Sequence, residues 1–545
     1  MKKLICAVLL IVVISGCAKR GSPSGGPVDS IPPVLINASP KINSTNFDSK
    51  EIRLTFDEFV KLDKVDEQLI ISPPLNKSSY EVKPLNGVTK KVFLEFIDSL
   101  ETETTYSINF GNSIKDNNEG NPLTFFSYTF STGETIDSLY VRGNISDAFD
   151  KETDDYISIH LYRIDSIFYD SIIYNNRPTY ISNSLDSTSY QFKNIKEGKY
   201  LILALKDIDN NYFFDPFYDK IGFIDSLITL PRDSIINFKL FKEETSLIWD
   251  KPHFINSEKI GFGYYGKLDL KNIEIESSIP DSVNYTYTKE NEKDTLIFWL
   301  SKNSFDSLNF NLIEKDTTKL VTVKFDRAKD TLIDSLSISP KTANIIHLKE
   351  TFKLSSNIPL KNIEDSLITI RDIDSLIVPF TTSINDNLDQ IDIKFEVSPS
   401  DNYRLFILPE AIKDIRGVSN NDTLQYNVVS QSLEDYGNVY LDVIRNSNSK
   451  FILQMIDSNG EVIRVFKNVN QDATYNFDHV RPGKYIFRLI EDANNNDKWD
   501  TGNYLKKIKP ERVYYFSNEL EVRANWDLNE TFNLNQIMSV KDSIN

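Results

Sequence analysis

Residues 190–215 read YQFKNIKEGKYLILALKDIDNNYFFD, and residues 475–500 read YNFDHVRPGKYIFRLIEDANNNDKWD. The two align without a gap over 26 positions, at an offset of 285 residues. Tyr190, Phe192, Gly198, Tyr200, Asp207, Asn210, Asn211 and Asp215 return as Tyr475, Phe477, Gly483, Tyr485, Asp492, Asn495, Asn496 and Asp500. Asp209 is exchanged for Asn494 and Phe214 for Trp499, both close chemical replacements. Identity at this density reads as an internal duplication. Each copy starts as alternating apolar residues and ends in a run of Asp and Asn, the pattern of strands closed by a turn.

The same period of two runs outward from the duplication. EIRLTF sets Ile52, Leu54 and Phe56 on one face, KVFLEF does so with Val92, Leu94 and Phe96, and TYSINF with Tyr106, Ile108 and Phe110. No long run carries helical spacing. A looser repeat ends strands in Ile114-Lys115-Asp116 and Ile412-Lys413-Asp414. The expected fold class is all-β, with tandem β-sandwich modules at 31–133, 135–245, 246–341, 342–432 and 433–545. The third rests on short patterns such as TLIFWL and on exclusion.

The Asn-rich ends of the duplicated segments are open to two readings. Oxygen-bearing side chains at alternating positions suit a calcium loop: Asp492, Asn494, Asn496, the Lys498 carbonyl and Asp500 in one copy, and Asp207, Asp209, Asn211 and Asp215 in the other. However, Asp497 and Tyr212 stand where such a loop has its Gly, and Asn503 and Tyr218 where it has its bidentate Glu. The other reading is an Asx-rich turn whose side chains accept N–H groups from its own backbone. No cofactor is implied beyond that structural calcium.

The chain has 545 residues, 12% aromatic, with a formal charge of −18. So much aromatic surface excludes wholesale disorder. The acidic balance leaves no basic stripe for nucleic acid. Lys2 and Lys3 precede an apolar run from Leu4 to Ile14, short of the roughly 20 residues that span a bilayer. The run ends in Ile14-Ser15-Gly16-Cys17, which resembles a bacterial lipobox. That resemblance implies a signal peptide at 1–16, acylation of Cys17 and a Gly/Ser/Pro tether at 17–30. It implies anchoring in the lipid bilayer through Cys17, and it leaves no cysteine for disulfides. Loss of Lys2 and Lys3 would take the charge to about −20.

The first module resembles the bacterial Ig-like domain of S-layer proteins. The likeness rests on Asp29-Ser30-Ile31-Pro32-Pro33, Phe56-Asp57-Glu58, Tyr106, Ile114-Lys115-Asp116 and Phe130-Ser131-Thr132-Gly133. The second and fifth modules are similar to prealbumin-like or carboxypeptidase-regulatory sandwiches, on Arg481-Pro482-Gly483-Lys484-Tyr485. Glu197 replaces the proline in the second copy. As a whole the chain resembles Ig-like outer-membrane lipoproteins of Bacteroidota, on the tether Gly21-Ser22-Pro23-Ser24-Gly25-Gly26-Pro27 and on Arg523-Ala524-Asn525-Trp526-Asp527. Asp-Ser/Thr-aliphatic triplets resemble the O-glycosylation sequon of that phylum and mark Ser99, Ser166, Ser226, Ser234, Ser307, Ser335, Ser366 and Thr423 as candidate sites. The same triplet also reads as a turn followed by a strand start.

Nothing concentrates catalytic chemistry. His160, His253, His347 and His479 are scattered without metal-ligand spacing, and His479 is expected in a turn. No nucleophile elbow or P-loop occurs. The expected function is a non-catalytic, lipid-anchored outer-membrane protein, more at the cell surface than on the periplasmic face. It would serve as an accessory or scaffold subunit of an outer-membrane protein complex such as barrel-assembly or transport machinery. The alternative is a glycan-binding or adhesive surface protein.

Overall fold

The computed structural model describes residues 29–535, apart from 125, 165–167, 186, 232–234, 291–292, 303–304, 326–333 and 446–447. The protein is all-β, a tandem of β-sandwiches, with two four-residue α-helices among the described residues, at Val65–Gln68 and Ile172–Asn175. Cys17, its leader, most of the tether, Ser166 and Ser234 lie outside the described residues.

Alternation becomes burial directly. In strand Glu51–Leu62, Ile52, Leu54 and Phe56 are buried while Arg53 and Asp57 are exposed. Ile52 faces Leu94 and Leu54 faces Val92 across the pair with Thr89–Phe96. That sheet runs Leu35–Ser39, Glu51–Leu62, Thr89–Phe96, Tyr80–Lys83. It packs on a second of Ile70–Ser72, Thr105–Asn109 and Ser127–Ser131. The Tyr106 and Phe130 rings stack between them at 5.4 Å.

Two further cores repeat this plan. The third module orders Ile248–Trp249, Lys259–Tyr265, Thr295–Leu300 and Tyr285–Lys289, opposite Ile273–Ile275, Ser307–Glu314 and Thr317–Lys324. The fourth orders Ile338–Pro340, Phe352–Ser356, Gln390–Phe395 and Phe380–Ile384, opposite Ile345–Ile346, Leu424–Ser430, Asn402–Ile407 and Ile368–Arg371. Sequence alone assigned the third module no kinship. Its connectivity groups it with the first and fourth.

The duplicated segments sit in a different plan, shared strand for strand. In the second module Gly198–Lys206 pairs with Ser158–Arg163, Lys220–Phe223 and Ile228–Leu230. In the fifth, Gly483–Asp492 pairs with Lys450–Asp457, Val513–Tyr515 and Leu520–Val522. Each module completes its sandwich with a three-stranded sheet whose last strand runs parallel to the first: Phe238–Leu240 beside Leu139–Asp147, and Asp527–Asn533 beside Gly437–Ile444. Tyr200 and Tyr485 occupy equivalent positions, 0% and 6% exposed. Each hydroxyl donates to the carbonyl four residues earlier, Lys196 at 2.7 Å and Arg481 at 3.0 Å.

Successive modules touch. Ile70 packs with Ile181 and Leu185 between the first and second, and Tyr265 meets Phe217 and Tyr218 between the second and third. Ile297 and Trp299 pack with Ile358 and Ile415 between the third and fourth. His347 Nδ1 lies 3.0 Å from the Tyr436 hydroxyl between the fourth and fifth.

Candidate functional site

The Asn-rich turns show the duplication at the level of single dihedrals. Asn210 and Tyr212 are left-handed in one, Asn495 and Asp497 in the other, at the same offset of 285 residues. Asp207 accepts the N–H groups of Asn211 and Tyr212 at 3.3 and 2.7 Å. Asp492 accepts those of Asn496 and Asp497 at 3.0 and 3.1 Å. Backbone donors thus converge on the first carboxylate of each run, as in a self-capped turn. Asn494 and Asn496 donate their amides to Asp500 at 2.5 and 2.6 Å, while Asp209 and Lys498 are exposed. Asn211 accepts from the Phe213 N–H at 2.7 Å, and Asp215 from that of Phe217 at 2.9 Å.

A second carboxylate closes each turn, and sequence reasoning missed both. Asp219 accepts the N–H of Ile208 and of Asp215 at 3.0 and 2.8 Å. Glu511 does the same for Ala493 and Asp500 at 2.7 and 3.0 Å. These residues lie outside the ungapped segment, at different distances from it, so no alignment signal pointed to them. Burial pushes the Asp219 carboxyl up to about 6 and raises Asp207 and Glu511 as well. Among the described residues, no three His, Cys, Asp or Glu side chains are grouped to hold a metal ion.

Beyond its turn the fifth module reaches back to the second. Thr501 donates to the Lys242 carbonyl at 2.6 Å, and the Tyr504 N–H donates to Glu243 at 2.5 Å. The Tyr504 ring is fully buried among Leu201, Leu203, Leu205 and Phe223 on the outer face of the second module's sheet. Lys507 pairs with Asp170 at 2.5 Å, and Lys509 donates to the Phe223 carbonyl at 2.5 Å while lying 3.6 Å from its ring centroid. In return, Phe149 of the second module lies against Trp499, ring centroids 4.7 Å apart, beneath the Arg488 guanidinium at 4.3 Å. Its carbonyl accepts from the Tyr515 hydroxyl at 2.7 Å. Each duplicate receives an aromatic ring from the other. With the contacts between successive modules, this clasp closes modules two to five into a frame.

The remaining candidates are dispersed. His160 is fully buried 2.8 Å from Ser158 Oγ, and burial holds its imidazole down at about 3. His253 packs over Gly261 across a strand pair. His479 lies within strand Ala473–Val480, at a left-handed residue whose N–H donates to Asn438, and not in the expected turn. Left-handed backbone at Asn194 and His479, again 285 residues apart, explains the shift: each is a kink inside a strand. Ser99, Ser226, Ser307, Ser335, Ser366 and Thr423 are all exposed, each followed by an aliphatic residue that is partly or fully buried.

Comparison with known proteins bears on the first module. Residues 29–132 match the bacterial Ig-like domain. The Ig-like module therefore includes Asp116, which accepts three N–H groups from Glu119, Gly120 and Asn121. Asp414 of the fourth module accepts those of Arg416 and Val418 in the same setting. No curated protein matches the chain. Among solved structures, a fragment of native alpha-2-macroglobulin from Escherichia coli is 12% identical, covering 35% of this chain and 89% of that one at a TM-score of 0.16. A surface layer protein is 10% identical, with 90% and 67% covered and a TM-score of 0.16. The major pilin subunit of Bacillus cereus is 11% identical, with 72% and 99% covered and a TM-score of 0.13. Overlaps this loose carry neither structure nor function across.

Proposed function

We propose that this protein is a non-catalytic, lipid-anchored outer-membrane scaffold that holds partner proteins in a multi-subunit complex. The observation that supports this most is the clasp. A chain whose last module locks onto its second presents fixed lateral surfaces, and fixed surfaces spare a partner the entropy of ordering loosely tethered modules. Acylation at the Ile14-Ser15-Gly16-Cys17 signal would put lipid at the other end, where each buried CH₂ adds about 0.8 kcal/mol of membrane affinity. Strand Val462–Val469 forms an edge of its sheet and exposes Val462, Ile463 and Val465, an edge suited to extension by a partner strand. Six exposed Asp-Ser/Thr-aliphatic sites suit glycosylation of the outward faces. No catalytic group is needed for this work.

Affinity purification from native membranes in mild detergent, followed by mass spectrometry and size analysis, tests the proposal. Outer-membrane proteins should co-purify in stoichiometric amounts. Recovery alone, at monomer size, under several gentle detergents contradicts it.

A further inference from the structure

A groove of about 560 Å³ lies between the first and second modules. One wall is the outer face of the second module's small sheet. Strand Leu139–Asp147 turns Val141 and Ile145 into the core and leaves Tyr140, Arg142 and Asn144 outside by strict alternation. Strand Ser189–Ile195 does the same with Ser189, Gln191 and Lys193, and Gln191 stands directly opposite Arg142. The facing wall, from the first module, adds Ser107 and Ser127, whose hydroxyls lie 3.1 Å apart.

The composition of these walls departs from the rest of the molecule. The chain carries 79 acidic residues in 545, yet none of the 17 residues described as lining the groove is acidic. Arg142 and Lys193 stand there without an ion-pair partner among the described residues, amid hydroxyl and amide side chains. A guanidinium forks onto a carboxylate through two parallel hydrogen bonds, and serine, asparagine and glutamine supply both donors and acceptors for hydroxyls. Tyr140, 45% exposed, lies two residues from Arg142 on the same face, next to the groove and outside its lining. The free edge of strand Ser189–Ile195 is already engaged, since the Ser182 hydroxyl donates to the Gln191 carbonyl at 2.8 Å. That disfavours an added peptide strand.

From this we infer that the groove binds an acidic oligosaccharide, its carboxylates on Arg142 and Lys193 and its hydroxyls on the amide-rich walls. The inference goes beyond the scaffold reading and stands or falls apart from it. Isothermal titration of the full chain in detergent with a galacturonic-acid hexamer tests it, beside a neutral maltohexaose and a hexaglutamate peptide. The uronic hexamer should bind, at least tenfold more weakly to the Arg142→Gln/Lys193→Gln variant, and unchanged to Lys319→Gln/Lys324→Gln on the third module. Absence of binding at millimolar hexamer, equal affinity for the groove variant and the wild type, or tighter binding of maltohexaose or hexaglutamate overturns it.

Discussion

Tyr504 donates its backbone N–H to the carboxylate of Glu243 at 2.5 Å, across 261 residues of sequence. The contact exists because two copies of one module turned their equivalent sheet faces toward each other. Leu201, Leu203 and Leu205 in one copy, and Arg488 and Ile490 in the other, lie on the sheet face opposite each sandwich core. In the second module that face is covered by its own Ile173, Phe214 and Phe241 together with Tyr504 of the clasp.

Truncating Tyr504 to Ala removes a fully buried ring and should cost about 3–5 kcal/mol of clasp stability. Gly502→Ala should cost about 1–3 kcal/mol, because a Cβ there would lie 2.7 Å from both the Phe241 ring and the Ile508 carbonyl. Hydrogen exchange is the readout. Protection should fall at 499–509 and at 221–223 while the cores of both modules keep theirs. Unchanged exchange in both variants would mean the clasp does not hold the modules.

Tyr200 and Tyr485 should behave as twins. Replacement of either by Ala should destabilise its module by about 3–5 kcal/mol, and by Phe by about 1 kcal/mol through loss of the hydroxyl bond to Lys196 or Arg481. Denaturant unfolding checks the pair. A large effect at one tyrosine and none at the other would break their equivalence.

Acid should act on the second module through His160. Its folded value of about 3 lies below the unfolded 6.5, so the stabilisation is complete above pH 6.5 and is lost as pH falls toward 3. The full span is up to about 5 kcal/mol. Asp219 has the opposite sign: its folded value of about 6 exceeds 3.8, so its contribution is complete below pH 3.8 and fades as pH rises through 6. Site-resolved NMR titration should find the imidazole neutral at pH 5 and the carboxyl half-protonated near pH 6. An imidazolium at pH 5 would contradict the first assignment.

The Asn-rich turns should stand without metal. Thermal midpoints in calcium and in chelator should agree, whereas Asp207→Ala or Asp492→Ala should cost about 1–3 kcal/mol by leaving two backbone N–H groups uncapped. A calcium-dependent midpoint would favour the calcium-loop reading.

Cys17→Ser should abolish incorporation of labelled palmitate, which wild type should show. Equal labelling of both would reject the anchor.

The β-class and the duplication were legible because alternation at Ile52, Leu54 and Phe56 maps one to one onto burial, and because Tyr200 and Tyr485 sit in an ungapped match. The clasp was written more faintly. The run LILALK, from Leu201 to Lys206, is apolar at nearly every position, as a strand buried on both faces must be. Period-two reading assigns one of those faces to solvent and so misses what covers it. Asp219 and Glu511 were illegible for another reason: a carboxylate that caps backbone groups from a distance needs the right endpoint and no fixed spacing.

Zero-length carbodiimide cross-linking in native membranes tests the closed frame most directly, because Lys507 and Asp170 lie 2.5 Å apart. The account predicts a Lys507–Asp170 amide within single chains, recovered by peptide mass spectrometry at monomer mass, and cross-links from other faces to outer-membrane partners. Absence of that link, or its appearance only between two copies at dimer mass, would contradict the frame.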